Sequence, residues 1–241
     1  MKAIAAQVRA ELTLTARNGE QFLVNLLIPL GLLVLFSKVK VLVSDTARPV
    51  DFLAPAVLAL AVMSSALVSL GISTGFERYY KILKRLGTTP LGRGRWIASK
   101  VIAVLVIELA QWAVLIGVAL VLGWSPDPRG WVTAVLAALA GTAAFGGLAL
   151  LMAGTLSGMA NLAVCNGLYL VLMVTGGMVI PLERMPGMIR HISEALPAAA
   201  LAEVVIGSLR TDAHVPGSAW PVLLAWAVVA PAAAAVTFRW D

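Results

Sequence analysis

Few residues of this chain could do chemistry in an apolar environment, and Glu108 is the first of them. Among charged side chains, Glu108 alone lies well inside a long apolar run, and Gln111 follows one helical turn later. A buried, unpaired carboxylate costs roughly 2.5–3.5 kcal/mol on membrane-insertion scales, so a partner or a water-filled path is expected. Glu108 could attract a cationic substrate or relay a proton; alternatively, it could reach interfacial water or bond Asn25. The sequence therefore predicts a substrate pathway formed by Asn25, Glu108 and Gln111.

Other residue types that carry catalysis or bind metals form no recognisable set. His191 and His214 have no partner at metal-ligand spacing on one helical face. No Ser or Thr has an evident activating base. The single cysteine, Cys165, excludes an intrachain disulfide. We predict no catalytic residue, no metal site and no enzyme activity in this chain.

The composition indicates a membrane protein. Of the 241 residues, 60% are hydrophobic and only 12% are charged, whereas about 25% are charged in an ordinary soluble domain. The net charge of +6 could suggest nucleic-acid binding, but the basic residues gather at the ends of apolar runs, where phospholipid head groups lie. We therefore exclude nucleic acid as a partner and predict a lipid bilayer instead.

The pattern predicts an all-α polytopic membrane protein, with residues 1–241 forming a single transmembrane domain. Each of six apolar runs approaches the roughly 20 residues that a helix needs to cross a bilayer. No charge occurs between Arg129 and Glu183, so this segment must double back, and the small and polar residues from Ser157 to Asn161 are the expected turn. The predicted spans are 22–43, 52–76, 101–122, 131–156, 162–182 and 220–238.

Basic residues predict the orientation. Residues 77–100 contain seven lysines and arginines against one acid, which places this loop and both termini in the cytoplasm. Residues 1–20 have an apolar stripe through Ile4 and Val8, as expected of an amphipathic interfacial helix, although Glu11 departs from the pattern. In residues 183–218, two stripes separated by Pro197 predict short re-entrant helices on the outer side, between the fifth and sixth spans.

The loop after the second span has the most informative pattern. Apolar residues recur at helical spacing while basic residues occupy the opposite face, which predicts a short amphipathic helix in residues 77–90. Such a helix could rest on anionic lipid or dock a soluble partner. The apolar positions are Tyr79, Ile82, Leu83 and Leu86, and the basic positions are Arg78, Lys81 and Arg85.

In two segments the chain resembles the permease subunits of type-2 ABC exporters, the ABC-2 type family. One segment follows the second span, and the other covers the end of the fifth span and the outer helices. Their order, together with the six-span layout, makes the resemblance extend over most of the chain. The first consists of Glu77-Arg78, Leu86-Gly87-Thr88-Thr89-Pro90-Leu91 and Lys100; the second consists of Gly176-Gly177, Pro181-Leu182, Met185-Pro186 and Leu196-Pro197.

This resemblance implies an ATP-driven exporter in the bacterial cytoplasmic membrane. It implies two permease subunits, as a homodimer or heterodimer, and two copies of a separate ATPase that binds ATP and Mg²⁺. The amphipathic helix would be the coupling helix that contacts the ATPase, and the chain itself lacks the phosphate-binding motif G-x-x-x-x-G-K-[ST]. Apolar, small-residue walls favour an amphipathic drug, antibiotic or lipid as substrate. The alternative is a proton-coupled secondary transporter centred on Glu108, although such proteins usually place several polar groups at the midplane.

Overall fold

The computed structural model describes residues 2–17, 19–38, 48–86 and 92–239, and this part of the chain is all-α. Eleven α-helices occur within these ranges. A π-helical segment, Ser64–Ser69, joins α3 to α4, and short 3-10 turns occur at Pro128–Gly130 and Leu182–Arg184. The helices are α1 Lys2–Arg17, α2 Gly19–Lys38, α3 Pro49–Met63, α4 Leu70–Tyr79, α5 Ile82–Leu86, α6 Gly92–Val121, α7 Trp131–Thr155, α8 Gly158–Thr175, α9 Gly187–Glu194, α10 Pro197–Leu209 and α11 Ala219–Thr237.

Five helical runs in the described ranges are long and apolar enough to cross a membrane, which confirms an all-α polytopic membrane protein. The helices α9 and α10, bent by 86°, would make a sixth if they act as one broken span. Within α2, the predicted first span, the apolar stretch Asn25–Ser37 is shorter than a span. The predicted end of that span, residues 39–43, lies outside the described residues. The five runs are Pro49–Tyr79, Gly92–Val121, Pro128–Thr155, Gly158–Thr175 and Ala219–Thr237.

The run Pro49–Tyr79, formed by α3, the π segment and α4, is the central span. Its most apolar stretch is 94% buried, whereas at most half of the corresponding stretch is buried in each of the other runs. The reason lies in its sequence, since Val, Leu, Ala and Met surround α3 on every side and a helix that is apolar all round can be covered by other helices. The helices α2, α6, α7 and α10 pack around it.

The helices α7 and α8 form the predicted hairpin, but its turn is shorter than expected. The turn consists of Leu156 and Ser157, whose hydroxyl accepts a hydrogen bond from the Ala160 amide and caps α8. Asn161 was expected in the turn; it is instead buried inside α8, where its amide donates to the carbonyl of Gly71 at 2.7 Å. The predicted fifth span, 162–182, was too long, because α8 ends at Thr175.

The predicted pair of outer helices forms and breaks just before Pro197, which is the first residue of α10. The two apolar stripes differ in how deeply they are buried. The stripe of α10, including Leu201 and Val205, is fully buried in the bundle. By contrast, Ile189 and Ile192 of α9 are 43% and 58% exposed. Only α10 therefore contributes to the core.

The ends of the bundle can be distinguished by the helices that meet there. At the first, which we call the α5 end, α5 lies beside the start of α6, the α7–α8 turn and the end of α11, where the amide of Arg239 donates to the Gly154 carbonyl. At the opposite end, which we call the α10 end, the amide of Asp127 donates to the carbonyl of Leu209. The basic residues of the 77–100 loop therefore lie at the α5 end. The cytoplasmic placement of this end remains a prediction.

The helices α7 and α11 are in close contact because of glycine on α7. A Cβ atom at Gly147 would lie 2.4 Å from the backbone nitrogen of Pro231, and one at Gly154 would lie 2.5 Å from the ring of Phe238. Small residues allow this kind of close approach between helices within membranes. Not every glycine of the α7–α8 hairpin has this role, because a Cβ at Gly167 would meet nothing within 4 Å.

Gly147 and Gly167 provide a matched pair of substitutions. We expect Gly147→Ala to lower the free energy of unfolding by about 1–3 kcal/mol, because the added methyl group overpacks a backbone contact. Gly167→Ala should be neutral or stabilise by up to about 1 kcal/mol, since alanine favours the helix and no neighbour has to move. Reversible unfolding of both variants in mixed micelles measures the difference, and equal stabilities would contradict the close packing of α7 on α11.

Candidate functional site

The π-helical segment Ser64–Ser69 lies near the midpoint of the central span. A π turn inserts one extra residue into a helix and occurs frequently at functional sites. Its serines bond neighbouring helices: Ser65 donates to the side-chain oxygen of Gln111 on α6 at 2.7 Å, and Ser69 accepts from the side-chain amide of Asn25 on α2. Two of the three predicted pathway residues therefore meet at this turn.

Glu108 lies near the middle of α6, with 5% of its surface exposed. One carboxylate oxygen accepts a hydrogen bond from the Thr142 hydroxyl of α7 at 2.8 Å. The other oxygen has no hydrogen-bond partner among the described residues, and the same is true of the side-chain nitrogen of Gln111. The alternative in which Glu108 bonds Asn25 does not occur among the described residues, where the Asn25 amide donates to Ser69 instead.

These side chains form a midspan polar layer across four elements: α2, the π segment, α6 and α7. The layer contains two buried polar atoms without a partner in the described part of the chain. In a bilayer such atoms are costly, and polar residues at this depth usually mark a pathway. Sequence reasoning missed Ser65, Ser69 and Thr142, whose signal was the presence of hydroxyl groups in otherwise apolar runs. The members are Asn25, Ser65, Ser69, Glu108, Gln111 and Thr142.

A second polar site lies at the α5 end, where Lys100 of α6 is buried between two carboxylates. Its ammonium nitrogen is 2.8 Å from a carboxylate oxygen of Glu11 on α1, and it also donates to Glu77 of α4. The Lys100 side chain is 2% exposed, and its charge lies 5.7 Å from the ring centre of Trp96. We call Glu11, Glu77 and Lys100 the charge cluster. It joins three helices that are distant in sequence.

The charge cluster explains why Glu11 departs from the amphipathic pattern of α1. The helix packs against α6, and Glu11 lies on the packed face with the partly buried Ile4 and Val8. An acid on the apolar stripe of an amphipathic helix therefore indicates a buried basic partner, here Lys100.

The predicted helix in residues 77–90 is not continuous. It breaks after Tyr79, at Lys81, whose φ of 58° is left-handed and rarely adopted by a residue with a side chain. Tyr79 and Tyr80 are 60% and 63% exposed, whereas Leu83 is 1% exposed and packs on Trp96. The expected single apolar face is therefore wrong. Residues 87–90 lie outside the described part of the chain.

Arg78 and Leu83 have roles within the chain itself. The guanidinium of Arg78 donates to the carbonyls of Ala153 and Leu156 at 3.2 and 3.0 Å, which satisfies the end of α7. Leu83 and the partly buried Leu86, both in α5, pack in the small apolar cluster around Trp96. The other predicted coupling residues remain exposed, and with Tyr80 and Lys84 they form what we call the exposed α4–α5 surface: Tyr79, Tyr80, Lys81, Ile82, Lys84 and Arg85.

Comparison with known proteins places this geometry in a family. The model of a family described as "ABC-2 type transporter" matches residues 2–209, which include every helix from α1 to α10. The chain belongs to the ABC-2 type transporter family. It is also similar to "Putative transport permease YvfS" of Bacillus subtilis (strain 168), with 28% identity over 206 residues that cover 82% of each chain.

Membership of the ABC-2 family identifies the chain as a multi-pass membrane permease, a transport subunit rather than an enzyme. The predicted family is thereby confirmed. The match includes both polar sites and the exposed α4–α5 surface. The roles of individual residues in these sites remain predictions.

The charge cluster yields a stability prediction. We expect Lys100→Met to lower the free energy of unfolding by about 3–5 kcal/mol, because two buried carboxylates lose their shared partner. Adding Glu11→Gln and Glu77→Gln to Lys100→Met should restore much of this loss by removing the unpaired charges. Unfolding in mixed micelles measures both effects.

Lys84→Met is the matched control for Lys100→Met, since Lys84 is exposed on α5. Exposed substitutions of this kind usually change stability by no more than about 0.5 kcal/mol. If Lys100→Met is as stable as this control, the buried ion pairs do not form.

Proposed function

We propose that this ABC-2 permease is the membrane subunit of an ATP-driven exporter whose ATPase is a separate chain. The observation that carries the proposal is the exposed α4–α5 surface, which joins the central span directly. Exposed tyrosines supply apolar area for docking, and the surrounding lysines and arginines would steer an acidic partner surface. Family membership supports the same assignment.

Movement of this surface would pass to the midspan polar layer along the central span. The helix α4 ends at Tyr79, and the π segment that carries Ser65 and Ser69 directly precedes α4 in the same span. Arg78 fastens the end of α4 to the α7–α8 turn, so a push on the surface would move these helices as a group. Rigid movement of packed helices is an established route to alternating access.

The proposal extends to the rest of the assembly. We place the α5 end in the cytoplasm of a bacterium, because its basic residues favour that side of the cytoplasmic membrane. A second permease subunit, identical or different, completes the pathway, and two ATPase subunits bind ATP and Mg²⁺. The permease binds neither.

The midspan polar layer supports an amphipathic substrate that carries a cationic group. Glu108 supplies a carboxylate oxygen without a hydrogen-bond partner, and the side-chain nitrogen of Gln111 supplies a donor. Most of the surrounding surface of α6 is apolar. A molecule with one charge and a large apolar part matches such a path better than a highly charged polymer.

The docking role of the α4–α5 surface can be tested with Tyr79→Asp in the complex with the ATPase that co-purifies with the chain. We expect export to fall by at least about tenfold while ATP hydrolysis continues, because loss of a central aromatic contact commonly costs over 1 kcal/mol. Substrate efflux and phosphate release, measured in the same proteoliposomes, separate the two effects.

Met188→Asp is the matched control, because Met188 is 80% exposed but lies at the α10 end. It should leave export unchanged. Leu83→Asp should instead destabilise the permease itself, since Leu83 is buried. Normal export by the Tyr79→Asp complex, or failure of any ATPase to co-purify, would overturn the docking assignment.

The pathway role of Glu108 predicts a charge-selective loss of transport. We expect Glu108→Gln to lower export of a cationic amphiphile by at least about tenfold and to change export of a neutral one little, because only the cation uses the carboxylate. The exposed, ion-paired Glu194 of α9 provides the control Glu194→Gln. Equal loss for both substrates would reject the pathway role.

The same vesicles test the alternative of proton-coupled transport. Under our proposal, export stops when ATP is absent and continues when the proton gradient is collapsed. Export that persists without ATP and stops on collapse of the gradient would favour a secondary transporter centred on Glu108.

A further inference from the structure

A cavity of about 360 Å³ lies at the α10 end of the bundle. The 3-10 turn Leu182–Arg184, the helix α10 and the loop after it line its walls, together with Phe52 of α3. Its volume is within the range of about 300–1,000 Å³ that is common for ligand sites. None of its lining residues belongs to the midspan polar layer or to the charge cluster, so it is a separate site.

The charged side chains that line this cavity are unequally engaged. Arg210 donates two hydrogen bonds to Asp212, at 3.2 and 3.1 Å, and these bonds lower the pKa of the Asp212 carboxyl. Arg184 also has an interaction partner. By contrast, Glu183 and Glu203 form no hydrogen bond or ion pair with any residue that the structure describes. Arg190 of α9 is near enough to act electrostatically on both carboxylates, but it is already ion-paired with Glu194. The charge left for a ligand is therefore negative.

The remaining walls are suited to an apolar group beside a cation. Phe52 and Ile206 line the cavity along with the carboxylates. Apolar side chains favour the apolar part of such a molecule, and a carboxylate binds its ammonium group by a charge-assisted hydrogen bond. An anion would find both arginines engaged, and a sugar would find few free donors.

We propose that this cavity binds a small amphipathic cation, an ammonium group attached to a short apolar chain. Glu203, which is half-buried on α10, holds the ammonium group, and Glu183 adds a second, more exposed contact. Phe52 and Ile206 cover the apolar chain. The site is independent of the proposed coupling to an ATPase.

Equilibrium dialysis of the purified permease in maltoside micelles at pH 8 tests this site, with radiolabelled hexylammonium as the probe and hexanoate as the anionic counterpart. Empty micelles give the background partition of each probe. We expect saturable binding of hexylammonium and only background binding of hexanoate. Glu203→Gln should weaken hexylammonium binding by at least about tenfold, because it removes the charge and preserves the shape.

Two further variants keep the result interpretable. Glu183→Gln lies on an exposed turn, cannot disturb the core, and should weaken binding about threefold through loss of one exposed contact. Asp127→Asn, outside the cavity, keeps an oxygen that can accept from the Arg129 amide and should bind as the unmodified chain does. The proposal is overturned if hexylammonium does not bind saturably, if hexanoate binds equally well, or if neither cavity variant changes binding. Because no ATPase or ATP is present, these outcomes leave the exporter proposal untouched.

Discussion

Polar groups inside a bilayer must find their partners within the protein, and this constraint determines how the bundle is joined. Water is absent from the hydrocarbon region, so an unpaired buried polar group there costs several kcal/mol. The chain meets the constraint with side-chain bonds between helices. Asn161 donates to the backbone of the central span, and the indole of Trp112 on α6 donates to the Leu58 carbonyl at 3.1 Å. Each bond stabilises the bundle and also fixes the relative depth of two helices.

Three bonds of this kind join α6 to the central span, two near the middle of α6 and one at the α5 end. Trp112 bonds α3, Gln111 bonds the π segment, and Lys100 bonds the end of α4. A helix pair held near its middle and at one end resists sliding, so the two should move together. The helix α7 belongs to the same group, because Thr142 bonds Glu108. Rotation of this group would carry the midspan polar layer with it.

The sequence was sufficient for the parts of the fold that depend on apolar length and on glycine, serine and proline. The α7–α8 hairpin and the break before Pro197 follow from such local signals. Partners distant in sequence could not be predicted, because nothing in the spacing of Glu11 or Ser65 identifies Lys100 or Gln111 as the partner. The helix break at Lys81 could not be predicted either, since the apolar residues keep their helical spacing in the sequence on both sides of the left-handed residue. The repeat therefore predicts, wrongly, that Leu83 shares a face with Tyr79.

The two ends of the bundle use charge differently, and this difference bears on function. At the α5 end, Lys100 is buried between two acids and Arg78 bonds the end of α7, whereas Lys81 and Lys84 of the α4–α5 surface are exposed. At the α10 end, the arginines are engaged and two carboxylates face a cavity. Charges consumed inside the fold hold helices in place, whereas charges left over can act on another molecule. By this reasoning the α5 end is suited to a protein partner, and the α10 end is suited to a small cation.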